Sequence, residues 1–130
     1  MSIPAGLRYT KDHEWTKVDG KRVTVGITAF AVEQLGDITL VNIDLKVGDE
    51  VAAGKAFGTI ESVKTLSDLF APVSGKIVEI NKELETKPEL VNEDVYGKGW
   101  MVIIEASDPK AADELLDEKA YADHVKASAH

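Results

Sequence analysis

From Ile38 to Glu105 the chain consists of short runs rich in Val, Ile and Thr, broken repeatedly at glycines. Runs of this kind cannot satisfy their own backbone groups and must pair, and their spacing is that of a sandwich or small barrel. The segment upstream agrees. Glu14 to Ile27 reads as two strands joined by the turn signal Asp19-Gly20, a hairpin. Thr28 then fits a helix N-cap, with Ile27 and Val32 as a hydrophobic staple and Gly36 as the stop, which predicts a helix over Ala29 to Leu35. Downstream, Ser107-Asp108-Pro109 offers capping groups and a proline, and Ala112, Leu115, Leu116 and Ala120 follow at helical spacing. A helix over about 109–125 is predicted. The fold class is therefore mainly β, with a short helix in the N-terminal half and a C-terminal helix. A weak internal echo, Ile38 to Glu61 against Lys76 to Glu105, suggests two halves packed as a flattened barrel of two sheets.

The 130 residues suit one domain, with a core that buries roughly two-thirds of the unfolded surface. With 23 acidic against 15 basic residues the formal net charge is −8, which repels phosphate backbones and anionic lipid. Neither nucleic acid nor a membrane is expected as a partner, and a monomer is expected. There is no cysteine. Disulfides, thiolate metal sites and cysteine nucleophiles are thereby excluded, and any sulfur chemistry must come from a cofactor. His13, His124 and His130 lack ligand spacing, so no metal site is expected. Gly97-Lys98-Gly99 reads as a turn, since no phosphate-loop pattern surrounds it, and no catalytic triad is assembled. Met1-Ser2-Ile3-Pro4 has no basic region leading into an apolar stretch, and no apolar run approaches the ~18 residues of a membrane span, so a cytoplasmic protein is expected.

The segment Glu61-Ser62-Val63-Lys64-Thr65-Leu66-Ser67-Asp68 places one lysine between two strand-like runs, Phe57 to Ser62 and Leu66 to Phe70. Lys64 should sit at the tip of that hairpin. A tip exposes the amine while two strands fix its direction, so a modifying enzyme can reach it. An exposed lysine is mostly protonated at neutral pH, so acylation requires an activated acyl group and a base supplied by that enzyme. Position alone does not single Lys64 out from the other lysines.

The run Gly58-Thr59-Ile60-Glu61-Ser62-Val63-Lys64, followed by Ser67-Asp68 and Pro72-Val73-Ser74-Gly75, resembles the lipoyl attachment region of the glycine cleavage H proteins. The resemblance continues through Tyr9-Thr10-Lys11-Asp12-His13-Glu14-Trp15, Gly26-Ile27-Thr28, Gly36-Asp37, Val91-Asn92, Gly99-Trp100-Met101 and Tyr121-Ala122-Asp123-His124. It covers about Leu7 to Val125. It implies a hybrid barrel-sandwich fold of the lipoyl and biotinyl type, with the whole chain, 1–130, a single lipoyl-carrier domain whose core spans about 22–106. It also implies lipoate in amide linkage on Lys64, and a non-catalytic carrier that shuttles the aminomethyl group of glycine. The implied partners are glycine decarboxylase (P protein), the aminomethyltransferase (T protein), dihydrolipoyl dehydrogenase (L protein), and a lipoate ligase or a lipoyl or octanoyl transferase. Glu61, Ser62 and Val63 are implied to serve recognition of the attachment motif, with ordinary polar hairpin ends as the plainer account of the first two. Glu14 and Asp68 are implied to line a cleft into which the loaded arm folds, a carboxylate there holding its ammonium group; an ordinary strand carboxylate and a turn former are the alternatives.

Phe30, Gln34 and Lys46 depart from that family's usual pattern, the first two at the cleft edge and the third in a loop. Val63 and Thr65 stand where a biotin carrier carries methionines, and the Asp12-His13-Glu14-Trp15 opening is foreign to the lipoyl domains of 2-oxo-acid dehydrogenases. A Schiff-base lysine would need burial or a neighbouring cation, which a hairpin tip does not offer. A relay passing lipoyl or octanoyl groups to other carriers, and a non-lipoylated interaction module, stay open.

Overall fold

The computed structural model describes residues 3–108 and 110–128; Pro109 and His130 lie outside them, so the proline's part in the predicted helix start is not described. Among the described residues nine strands form two sheets: β1 (Arg8–Tyr9), β2 (Glu14–Asp19), β3 (Arg22–Ile27), β4 (Ile38–Ile43), β5 (Glu50–Val51), β6 (Ala56–Ser62), β7 (Leu66–Phe70), β8 (Gly75–Ile80) and β9 (Val102–Ala106). One sheet runs β1-β2-β3-β9-β8-β5 and the other β4-β6-β7, with every pairing antiparallel. Among the described residues the ladders do not close into a barrel. The echo in the sequence corresponds to two antiparallel pairs, β4 with β6 in the small sheet and β8 with β9 in the large one.

Alternation along the strands explains the core. Val23, Val25, Ile77 and Ile104 from the large sheet meet Val41, Ile60 and Leu69 from the small one in a single apolar cluster, while their neighbours in sequence face out. A second cluster forms around Tyr9, Trp15 and Tyr121, where the Tyr9 and Tyr121 rings stack with centroids 4.6 Å apart. The Trp15 indole covers Gly26, its register partner, and donates from Nε1 to the Val95 carbonyl at 2.9 Å.

The N-terminal helix, α1 (Ala29–Leu35), matches its capping signals: Ala31 N–H donates to Thr28 Oγ1 at 3.3 Å, and Gly36 ends the helix at φ 81° with its N–H on the Val32 carbonyl. The segment between β8 and β9 is not all β, as it holds two short helical turns, α2 (Glu83–Thr86) and α3 (Leu90–Glu93), which send Leu84 and Val91 into the core.

The C-terminal helix differs from prediction. A 3-10 turn at Ala111–Glu114 is followed by extended backbone, and the α-helix proper, α4, spans Glu118–Ser128. Leu116 leaves the helical path because it exchanges both backbone bonds with Tyr9, at 2.8 and 2.9 Å, prolonging the edge beside β1. Asp117 then restarts the helix, its carboxylate accepting from Ala120 N–H at 2.8 Å. Tyr121 from α4 is thereby seated against the N-terminal strands.

Candidate functional site

β6 and β7 pair in register from Thr59↔Asp68 to Glu61↔Leu66, leaving Val63-Lys64-Thr65 as the turn. Lys64 is exposed at its centre. This tip contains no glycine, and a side chain shapes it. Ser62 Oγ accepts from the N–H groups of Lys64 and Thr65, both at 3.2 Å, and Ser62 N–H bonds the Thr65 carbonyl at 2.8 Å. Val63 N–H is anchored on the Asp37 carbonyl at 3.0 Å. Ser62 itself is buried, with its hydroxyl engaged inside the turn. Glu61 and Val63 do face solvent. The Lys64 stem lies over the end of α1, where a Cβ on Gly36 would sit 3.4 Å from Lys64 Cε.

On the flank of α1 a cleft of about 330 Å³ is lined by His13, Glu14, Phe30, Gln34, Ser67 and Asp68, among others. It brings together the two acids singled out from the sequence and two of the three departures, Phe30 and Gln34. Lys46 lies elsewhere, in the β4–β5 loop, with its N–H on Asp49. The two acids are not equivalent. Asp68 lies opposite Thr59, whereas Ser67 pairs with Ile60 on the side of β7 that carries buried Leu69; both Ser67 and Asp68 are exposed. A larger depression of about 590 Å³, lined by Lys21, Glu50, Lys76 and Glu105 among others, touches no residue of the attachment segment.

Glu14 is 2% exposed. Thr10 Oγ1 donates to its Oε1 at 2.6 Å, and Phe70 N–H reaches Oε2 at a long 3.5 Å. Burial pushes its carboxyl up to about 8, with nearby Asp12 adding to the rise and the Thr10 and Phe70 bonds opposing it. At neutral pH, with only the chain's own residues around it, the group thus holds a proton.

Next to it, His13 is the one non-glycine residue with positive φ, 68°, among the described residues. Such a conformation persists only where surroundings enforce it. Here the ring packs against Phe30 at 4.6 Å and His124 at 5.4 Å, while Nδ1 meets the Tyr121 hydroxyl at 2.8 Å. That hydroxyl also contacts Thr28 Oγ1 at 2.7 Å, joining α4, the start of α1 and the cleft wall. Burial, then the neighbouring His124, holds the His13 imidazole below its usual range, against a smaller pull from Asp12. Two histidines scattered in the sequence are thus neighbours in space. Even so, no set of three or more His, Asp or Glu side chains among the described residues is placed to hold a metal.

The sequence model described as Glycine cleavage H-protein matches residues 7–128. The chain belongs to the glycine cleavage H-protein family. H proteins are the non-catalytic lipoyl-carrier component of the glycine cleavage system. A glycine cleavage system H protein of Bacillus licheniformis is 48% identical over 126 residues, 97% of this chain and 98% of its own. Another, from Carboxydothermus hydrogenoformans, is 53% identical over 119 residues, 92% of this chain and 91% of its own. The crystal structure of an H protein from Mycobacterium marinum superposes with a TM-score of 0.84 at 38% identity, covering 98% of this chain and all of that one. H-protein membership accounts for the mainly β sandwich with its terminal helix. No helix among the described residues is long and apolar enough to cross a membrane.

Thr10, His13, Ser67 and Tyr121 were not singled out from the sequence. A signal for His13 existed only in its place beside Glu14; its hydroxyl partner lies 108 residues away.

Proposed function

We propose that Lys64 carries lipoate in amide linkage and that the chain, as one carrier domain, shuttles the aminomethyl group of glycine from the decarboxylase to the aminomethyltransferase before reoxidation by the dehydrogenase. The observation that carries this reading is the exposed Lys64 on a turn braced by Ser62, with its stem over Gly36 and a cleft on the adjoining flank of α1. The residues present fit the group: an accessible amine, a 330 Å³ cleft, and a mixed apolar and polar lining from Phe30, Leu35, Leu69, Gln34 and Glu14. When bound, lipoate supplies the dithiol and disulfide chemistry that a chain without cysteine lacks.

The chain's own residues do the rest. For attachment, a lipoate ligase or lipoyl transferase brings the acyl group activated. The deprotonated Nζ of Lys64 attacks its carbonyl carbon, the amide C–N bond forms, the activating group leaves, and the amine proton passes to the enzyme's base. Within the cleft, burial and the nearby Asp12 keep the Glu14 carboxyl protonated while only the chain's own residues surround it. A cationic cargo would favour the ionised carboxyl, and Glu14 would then give its proton to solvent and accept a charge-assisted hydrogen bond. Phe30, Leu35 and Leu69 exclude water around that contact. Glu61 and Val63, both exposed beside Lys64, present the motif to the attaching enzyme. We place the protein in the cytoplasm.

The test is intact-mass spectrometry with peptide mapping after exposure to lipoate, ATP and a lipoate ligase. A lipoyl adduct on Lys64, absent in Lys64→Arg, is the expected result; an unmodified wild type beside a lipoylated control carrier overturns the reading.

A further inference from the structure

The outer face of the small sheet does not look like a face meant for water. Its register sets Leu40, Glu61 and Leu66 side by side across β4, β6 and β7, since Leu40 pairs with Glu61 and Glu61 with Leu66. Leu40 is 46% exposed and Leu66 63%, and Val63, at 65%, adds a third apolar side chain at the tip. The other two exposed large apolar residues, Val18 and Val47, lie singly on β2 and in the β4–β5 loop. Single exposed apolar residues are ordinary; here three gather on one end of one sheet face, interleaved with charge. Here the charge is acidic. Glu61 stands between the leucines, Asp68 lies one row further along β7, and Asp37 backs Val63. Among the described residues none of the three is in an ion pair. Lys64 is the cation at this tip.

We infer that Leu40, Val63 and Leu66, with Glu61 set between the two leucines, form the docking face for the enzyme that acylates Lys64, whose matching surface carries apolar sockets around a basic side chain. This rests on the carrier reading above. Geometry selects that occupant over the enzymes that act on the finished arm. To place Nζ in its active centre, the acylating enzyme must cover the backbone on both sides of Lys64, which are Val63 and the Thr65-Leu66 step. An enzyme that covers Leu66 from outside meets Glu61 and Leu40 next, because they share its row. Partners acting on the far end of the arm work at a distance from the tip. Recognition is then a property of three strands, two of which flank the lysine and one of which, β4, enters from more than twenty residues upstream. A contiguous motif alone would not supply Leu40.

The experiment uses the full chain and a lipoate ligase with lipoate and ATP, following the initial rate of mass gain on Lys64 against carrier concentration. Leu40→Thr, Leu66→Thr and the double variant remove apolar surface while keeping a β-favouring side chain, and Glu61→Gln removes the charge. The expected result is a KM at least tenfold higher for the double variant, several-fold higher for either single variant, and kcat within twofold of wild type. Glu61→Gln is expected to raise KM several-fold and to weaken its dependence on salt. Circular dichroism and the unfolding midpoint verify the sheet, and if the double variant does not fold, the single variants decide. A KM within twofold of wild type in the folded leucine variants overturns the docking face while leaving the carrier reading intact. Absence of acylation in the wild type overturns the carrier reading itself.

Discussion

The Lys64 turn and the Glu14 cleft lie on either side of the end of α1 and are built on opposite terms. Around Lys64 the side chains that matter face water, and order comes from the backbone and one internal hydroxyl, that of Ser62. Around Glu14 the side chains that matter are buried or half-buried and held by one another, through Thr10, Tyr121 and the tilted contact of His13 with Phe30. The first arrangement leaves an amine sterically available. The second changes the chemistry of a carboxyl group by taking water away from it. On the carrier reading proposed above, the first would hand the lysine to an enzyme and the second would offer its cargo a place out of solvent.

That contrast can be broken most sharply at Lys64. Lys64→Arg is expected to abolish lipoylation completely, read by intact mass, while shifting the unfolding midpoint by no more than about 1 °C, as befits an exposed side chain. A large loss of stability would show that the turn depends on the lysine stem.

The next largest effect concerns pH and belongs to the cleft. With the Glu14 carboxyl raised to about 8 in the folded chain, both states hold the proton below about 4.5. Between there and about 8 the unfolded chain loses it while the folded chain keeps it, so stability falls as pH rises, by about 1.4 kcal/mol per unit for this group; above that range the slope ends. The total is on the order of a few kcal/mol. Denaturant titrations from pH 5 to 9 are expected to show this decline, and Glu14→Gln to flatten it. An identical slope in the variant would mean that the cleft is wetter than its geometry indicates.

Smaller changes sharpen the comparison. Tyr121→Phe keeps the stacked ring but strips the hydroxyl shared by His13 and Thr28, at a cost of about 1–2 kcal/mol in chemical denaturation. It should loosen the cleft wall and leave the lipoylation rate unchanged. Ser62→Ala does the reverse, costing about 1 kcal/mol and slowing lipoylation because the Lys64 and Thr65 amides lose their acceptor.

The same division explains what was legible in the sequence. The attachment turn is contiguous, so Lys64 and its two strands stood out in a single run, and the Thr28 and Gly36 caps set the ends of α1 because capping is local. The C-terminal helix was misread because the force that breaks it is not local: Leu116 sits at helical spacing but pairs with Tyr9 instead. α2 and α3 are single turns, too short to show a period. In the cleft, Glu14 could be picked out by resemblance but not its protonation, which depends on Thr10, Phe70 and the walls contributed by α1 and β7. His13 was invisible as a site residue for the same reason, since its conformation and its Tyr121 partner exist only after α4 has docked.

The brace under Lys64 has a further consequence. Because the tip is pinned by Ser62 and Asp37, the base of any arm built on Lys64 is fixed relative to the cleft, and all of its reach comes from rotation about side-chain bonds. Arm and cleft then behave as a tethered pair, meeting at an effective concentration set by the tether rather than by how much protein is present, on the order of millimolar for short flexible links. Docking of such an arm would be unaffected by dilution, and contacts in the cleft with a Kd below that concentration would suffice to keep it occupied between encounters with other proteins.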